Sequence, residues 1–420
     1  MPTLQASDRL RMAPPLRKSG PCIAVSASLI VVLAIAVLVN LGLLAGMGPD
    51  VAGVFFRALA LSTLLSCVPL SVLWFLDRRE REAPLFFLAA FLWGACIATA
   101  IVVPFNTAFH DLVDRWIALN PIVAEILGPD ATILIAAPLA APITEEVAKA
   151  AGVVLIFWLL HDEFDNMRDG FVYGALIGVG FNWFEAALYV AQGYAEHGRP
   201  LYGLQLGTRY ALFGLGGHVM FTGLFGLFLG LAVQTTRKWL RVLAPLIGLT
   251  LAVAAHALNK ALPLFQALAA AERGGLPGAD PESAAESLSE MGFVAAFLSS
   301  SAIELTIFGP FTLSVAIALW RSGIWERRVI REELASEIGG SVTPGEYEAI
   351  LADRMLRTRR IDELHPARSA ALVNAQHELA FRKRRVKDRG DDPEQDALVA
   401  GWRQDVQRLR RAGVEAVTAA

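Results

Sequence analysis

The sequence predicts an all-α, polytopic membrane protein with about eight transmembrane helices and a helical, charged C-terminal tail. Three observations predict it. Apolar residues make up 55% of the 420-residue chain and charged residues only 18%, against about 25% charged in ordinary soluble domains. The apolar residues clump into nearly uncharged runs of about 20 or more, the length a helix needs to cross about 30 Å of hydrocarbon. Nineteen of the 37 Lys and Arg lie between Arg321 and the C-terminus. Together these exclude a soluble globular enzyme, a disordered regulator and a disulfide scaffold, and no nucleic-acid partner is expected.

Eight runs qualify as spans: about 22–46, 53–76, 85–105, 132–160, 171–194, 209–233, 242–264 and 293–320. The first follows a basic segment (Arg9, Arg11, Arg17, Lys18) but is too long for a signal-peptide core, so an uncleaved span is expected. The fourth carries Pro138 and Pro142 and is expected to kink or to begin as a re-entrant piece. Segment 106–131 mixes Leu112, Val113, Trp116 and Ile117 with Asp111, Asp114 and Arg115, which predicts an interfacial helix. Segment 265–292, rich in Gly, Pro and acid, predicts a flexible loop. Cys22, Cys67 and Cys96 show neither pairing nor ligand spacing and are expected as small core residues.

With the N-terminus inside, the inner segments hold eleven basic residues and the outer loops three. Both termini are therefore expected in the cytoplasm, with the protein multi-pass in the cell's inner (cytoplasmic) membrane. The expected division is a basic cytosolic N-terminus at 1–21, a membrane domain at 22–321 with its polar core at about 130–264, and a cytosolic helical tail at 322–420. In the tail, Thr343-Pro344-Gly345-Glu346 predicts an N-cap and first-turn proline. Gly339-Gly340 and Gly390-Asp391-Asp392-Pro393 predict breaks. Arg382-Lys383-Arg384-Arg385 reads as a solvated helical face, with contact to anionic lipid as the alternative.

Ionisable groups at mid-membrane are unfavourable by about 2.5–3.5 kcal/mol each on an insertion scale and are functional candidates by default. Here they concentrate in spans four to seven: Glu145, Glu146 and Lys149, then Asn182 and Glu185, then His218, then His256 and Asn259. Lys149 lies four residues from Glu145 and three from Glu146, so it can pair with either on one helix face. At about 1.5 Å rise per residue, Glu145, Glu185, His218 and His256 fall within several ångströms of one depth. Two ladders of small residues, Gly170, Gly174, Gly178 and Asn182 on span five and Gly214, His218, Thr222, Gly226 and Gly230 on span six, predict close helix packing. Arg57 and Lys260 lie near span ends and are read as snorkelling; Glu304, mid-span in the eighth helix, has no evident partner.

The chain has no HExxH zinc helix, GxSxG elbow or phosphate-binding GxxxxGK[ST] loop. What remains is a carboxylate–imidazole site, in which a desolvated carboxylate acts as base on a trapped water and imidazole or amide N–H groups stabilise an oxyanion. Glu146, Glu185, His218 and His256 are the set that would hold a metal, with Zn²⁺ possible by donor type. No cofactor is required if the site works through glutamate alone.

These residues resemble the PrsW-type intramembrane proteases, relatives of the CAAX-protease and bacteriocin-processing membrane enzymes. The resemblance covers roughly 130–260 and rests on Glu145-Glu146-Val-Ala-Lys149, on Asp169-Gly170 leading to Gly180-Phe181 and Glu185, on Arg209 with His218-Val-Met-Phe-Thr222-Gly223, and on His256-Ala-Leu-Asn259. It implies an intramembrane endopeptidase of glutamic type. Glu145 or Glu146 would activate water, Lys149 orient the pair, Glu185 and His218 complete the site, and His256 and Asn259 bind the oxyanion or position water. It also implies membrane-anchored protein substrates, anti-sigma factors among them. Ala186 stands where the family often has asparagine, and the His256–Asn259 spacing of three is four in many relatives. Two other classes fit some of the same residues: a proton-coupled transporter, and a non-catalytic scaffold acting through the tail.

Overall fold

The computed structural model describes residues 19–79, 84–129, 131–160, 164, 166–272, 292–352 and 366–418; the basic N-terminal arginines and the Gly- and Pro-rich stretch of 273–291 lie outside them. Among the described residues there is no β-strand, and the helices run α1 Ser19–Gly46, α2 Pro49–Leu76, α3 Pro84–Leu119, α4 Pro121–Leu127, α5 Ala131–Leu159, α6 Met167–His197, α7 Tyr202–Arg209, α8 Gly217–Gln234, α9 Lys238–Glu272, α10 Phe293–Ala335, α11 Pro344–Leu351, α12 Pro366–Arg389 and α13 Ala397–Thr418. Among the described residues, seven helices are long and apolar enough to cross a membrane, or eight if α4 and α5 form one bent span. The protein is an all-α multi-pass membrane protein. Its outer helices turn residues such as Ile30, Leu38, Leu64 and Val242 outward, the pattern of lipid-facing surface.

Four sequence expectations shift in this architecture. Residues 106–119 form no separate interfacial helix but continue α3, which stays helical through Pro104 and a π-turn at Trp93–Ala98. Val113 and Ile117 on this extension pack on Ala131 and Ala136 of α5, so the apolar face meets protein. The sharp change of direction in the fourth span, 96° between α4 and α5, falls beside Gly128, whose φ of +76° suits glycine, while α5 runs on through Pro138 and Pro142. The sixth span begins later than 209: α7 and a 3₁₀ turn at Ala211–Gly214 precede α8. Cys67 is exposed and Cys96 half-buried, so neither is a core residue; Cys67 sits on the outward face of α2.

α6 and α8 form the most extensive helix contact in the bundle, and their glycines explain it. A Cβ on Gly226 would lie 1.9 Å from the carbonyl oxygen of Gly170, one on Gly174 2.4 Å from that of Thr222, and one on Gly178 2.4 Å from that of His218. Backbone thus meets backbone along the whole interface. The opposite side of α6 is equally close: a Cβ on Gly180 would lie 2.0 Å from Phe91 oxygen and one on Gly94 1.9 Å from Ile177 oxygen. α6 is clamped on both faces, which fixes the height and rotation of Asn182 and Glu185.

α10 is one helix of 43 residues, about 65 Å at 1.5 Å per residue. It therefore continues past the membrane into a second hydrophobic cluster built from its own Val329 and Leu334 with Val342, Leu372, Leu379, Phe381 and Val399. Thr343 caps α11 in a reciprocal box with Glu346, as the sequence motif predicts. The basic run of α12 is neither a freely solvated face nor a lipid strip as a whole. Lys383 is buried and donates to Glu337, the Ser336 hydroxyl and the Glu333 carbonyl, and Arg382 forms a two-pronged pair with Asp396 at 3.1 and 2.7 Å. A buried salt bridge, Arg168 to Glu326 at 2.6 Å, ties α6 to α10.

Two outcomes follow from these contacts. Gly226→Val lowers stability by about 3 kcal/mol or more, because backbone must move to admit the side chain, whereas Gly309→Val, whose Cβ meets nothing within 4 Å, leaves the melting transition in detergent unchanged; equal effects contradict the close packing. Asp396 is held below its ordinary range by the Arg382 fork, which outweighs burial, and by the backbone N–H groups of Leu398 and Val399. A depressed carboxyl contributes stability that is present above its ordinary pKa of about 3.9 and lost as pH falls through the lower folded value. Asp396→Asn therefore weakens hydrogen-exchange protection of α12 and α13 by about 1–2 kcal/mol at neutral pH, with the difference vanishing in acid. A difference that persists in acid contradicts the assignment.

Candidate active site

α5, α6, α8 and α9 bring the polar side chains of the bundle into one buried cluster. Lys149 is its centre, fully buried, with Nζ 2.8 Å from Glu146 Oε1, 3.4 Å from Glu145 Oε2 and 2.9 Å from His218 Nδ1, and it lies over the Phe181 ring at 4.0 Å. An ammonium only donates, so Nδ1 of His218 accepts and its Nε2–H donates to Glu185 Oε2 at 2.7 Å. Glu146 is fully engaged: Thr222 Oγ1 donates to its Oε2 at 2.9 Å, and His256 Nδ1 lies 3.0 Å from its Oε1. Glu146 is an acceptor, so His256 carries its proton on Nδ1, and its buried Nε2 has no partner. Phe221 stacks on His256 with centroids 5.2 Å apart and fixes the ring plane.

Glu185 gathers the cations from the far end of the site. Arg209 Nη1 donates to Oε2 at 2.8 Å and Lys260 Nζ lies 3.7 Å from Oε1, with Tyr189 beneath both cations at 3.8 and 5.6 Å. Lys260 therefore does not snorkel; a buried carboxylate draws it inward. Asn182 donates to the Arg209 carbonyl at 3.2 Å and holds the loop rather than the carboxylates. Asn259 donates to Glu304 Oε1 at 3.3 Å, which gives Glu304 its partner and turns the amide toward α10. Between α7 and α8, Leu212 and Phe213 adopt left-handed backbone, φ 52° and 59°, an uncommon conformation for such residues. The Leu212 N–H is held by Ser301 Oγ at 2.9 Å.

Three donor atoms face one another: one carboxylate oxygen of Glu145 and one ring nitrogen each of His218 and His256, all within 4.8 Å. Glu145 Oε2 is 3.8 Å from His218 Nδ1 and 3.9 Å from His256 Nε2. The outward nitrogen of each ring is held by a further carboxylate, Glu185 or Glu146. Of the four residues read from the sequence as a metal set, the histidines thus share their inward nitrogens with Glu145, while Glu146 and Glu185 lie behind the rings. Two imidazoles, one carboxylate and a carboxylate behind each imidazole are a donor set suited to a catalytic divalent ion, and the unpartnered His256 Nε2 is the atom such an ion would satisfy. The residues fit.

A family model described as PrsW family intramembrane metalloprotease matches residues 82–274. Over that stretch the chain is similar to that family. A relative called Protease PrsW, from Geobacillus kaustophilus (strain HTA426), is 29% identical over 169 residues, 40% of this chain and 64% of that protein; the match thus spans less than two thirds of the relative's length. No solved structure matches. The PrsW match takes in α5, α6, α8 and all of α9 and leaves out α10 and the tail, so Glu304, which meets Asn259, lies beyond it. Sequence reasoning missed the placement of Arg209 and Lys260 beside Glu185; a positive charge within two turns of a buried acid's neighbour helix was the available signal.

Proposed function

We propose that the chain is an intramembrane endopeptidase that hydrolyses peptide bonds in membrane-anchored protein substrates at the Glu145–His218–His256 centre. The observation that carries this reading is the meeting of those three donor atoms within 4.8 Å inside the helix bundle. Both termini lie in the cytoplasm in this reading, on the strength of the basic-residue bias, and anti-sigma factors are one substrate class it admits by analogy.

The roles follow from what each group is free to do. Glu145, His218 and His256 would hold a divalent ion. When bound, that ion supplies an acidified water and polarises the scissile carbonyl. Glu146, its Oε1 held by Lys149 at 2.8 Å and by the Nδ1–H of His256 at 3.0 Å, fixes the tautomer and ring orientation of His256. The same ammonium is the cation closest to the centre and stabilises the developing oxyanion, a role the sequence reading gave to His256 and Asn259. Glu185, backed by Arg209 and Lys260, fixes the ring orientation of His218. Burial keeps bulk water out, so these dipoles act at low dielectric. One contact favours a metal-free, glutamic variant of the reaction: Lys149 Nζ already lies 2.9 Å from His218 Nδ1 and places a cation beside the donor set. There Glu145 would be the base.

With purified protein and a single-span test substrate, Glu145→Gln, Glu146→Gln and His218→Ala each reduce cleavage by about 10²–10⁴-fold while the protein stays folded. A chelator abolishes cleavage and Zn²⁺ restores it; insensitivity to chelator favours the glutamic variant. Cleavage retained in all three variants overturns the proposal, and flux of ions across proteoliposomes dependent on Glu145 or Glu185 would favour the transporter instead.

A further inference from the structure

Away from this centre, at the end of the bundle that adjoins the tail, lies a cavity of about 360 Å³, within the range of small-ligand sites. One wall is membrane-domain helix: Phe157 of α5, Leu229 and Val233 of α8, and Pro245 of α9. The other is tail: Trp325 of α10 and Phe381 of α12. The rim is basic. Arg241, Arg384, Arg385 and Arg389 line it, with Asp388 the one acid in the lining. Some of these charges are partly engaged: Arg241 donates to the Thr235 carbonyl, Arg385 to that of Phe164, and Arg384 lies 3.2 Å from Asp388. The positive charges still outnumber the negative, and Arg241 and Arg389 are exposed.

The position of the cavity says which anion it fits. Trp158, Trp239 and Trp320 are each about half exposed on the helices around it, and tryptophans collect where a membrane meets water. Beside the mouth, α9 turns Val242 and Leu246 outward, 66% and 58% exposed, a surface for acyl chains rather than solvent. Phosphate oxygens suit the forked donors of arginine, and basic pockets at this level bind lipid head groups. We propose that this cavity binds the head group of an anionic phospholipid, its phosphate among Arg241, Arg384, Arg385 and Arg389 and its chains along α9. The bound lipid would join tail to membrane domain, and the tail side of that contact, Trp325, Phe381 and the α12 arginines, lies outside residues 82–274, the part matched by the PrsW family model.

Full-length protein, delipidated in detergent, is titrated with phosphatidylglycerol and with phosphatidylcholine and followed by native mass spectrometry. Phosphatidylglycerol is expected to bind at least tenfold more tightly. Arg389→Glu lowers that affinity at least tenfold, Val233→Trp lowers it by filling the cavity without changing charge, and Arg411→Glu, an exposed tail arginine outside the lining, leaves it unchanged. Should the substituted proteins fail to fold, a photoactivatable phosphatidylglycerol on the unaltered chain is expected to crosslink within 229–245 and 381–389. No preference between the lipids, equal loss with Arg411→Glu, or crosslinks elsewhere would overturn the proposal. So would displacement of the lipid by equimolar inorganic phosphate or by an acidic peptide, which would mark a free-anion or protein site.

Discussion

Backbone contact between α6 and α8 is the constraint on which the remaining geometry depends. With glycine at each crossing point, no side chain separates the two helices, and their relative height and rotation cannot drift. Glu185 lies just beyond the last crossing on α6, and His218 supplies the carbonyl that Gly178 meets. The 2.7 Å contact between the two side chains is therefore a consequence of helix packing. It also sets which nitrogen of His218 faces inward, because the other is committed to Glu185.

A bundle interior strongly disfavours isolated charge, and the cluster answers that by leaving almost none isolated. Lys149 sits among two carboxylates, an imidazole and an aromatic face; Glu146 accepts from three side chains; Glu185 faces Arg209, Lys260 and His218. Buried ion networks of this kind contribute little net stability but are strongly destabilised by loss of one member, so their presence points to chemistry rather than to folding. The exception to full satisfaction is informative. His256 Nε2 is buried without a partner and faces Glu145, in a site whose other polar atoms are largely paired.

Much of this was legible in the sequence because helices have a fixed period. The spacing of Glu145, Glu146 and Lys149, and the four-residue glycine ladders, place side chains on faces without any tertiary knowledge. Common depth followed from counting residues into each span. Partner choice across helices was less accessible. Nothing local says that Asn259 turns to Glu304 on α10 rather than to the site, or that Lys260 is drawn to Glu185 instead of to water. The length of α3 was hidden because Pro104 looks like a terminator, yet a π-turn upstream and a packed apolar face downstream keep the helix intact. In the tail, Lys383 reads as surface charge until Glu337 is brought beside it by a chain reversal some forty residues earlier.

The centre thus comes down to two imidazoles held in opposite senses, His218 protonated on Nε2 and His256 on Nδ1, so that a lone pair of each faces Glu145. Nitrogen-15 NMR of histidine-labelled, metal-free protein reads this directly, with His218 and His256 assigned by comparison with single-site variants. The expected spectrum shows both rings neutral and of opposite tautomer. Two rings of the same tautomer, or two doubly protonated rings, would contradict the arrangement.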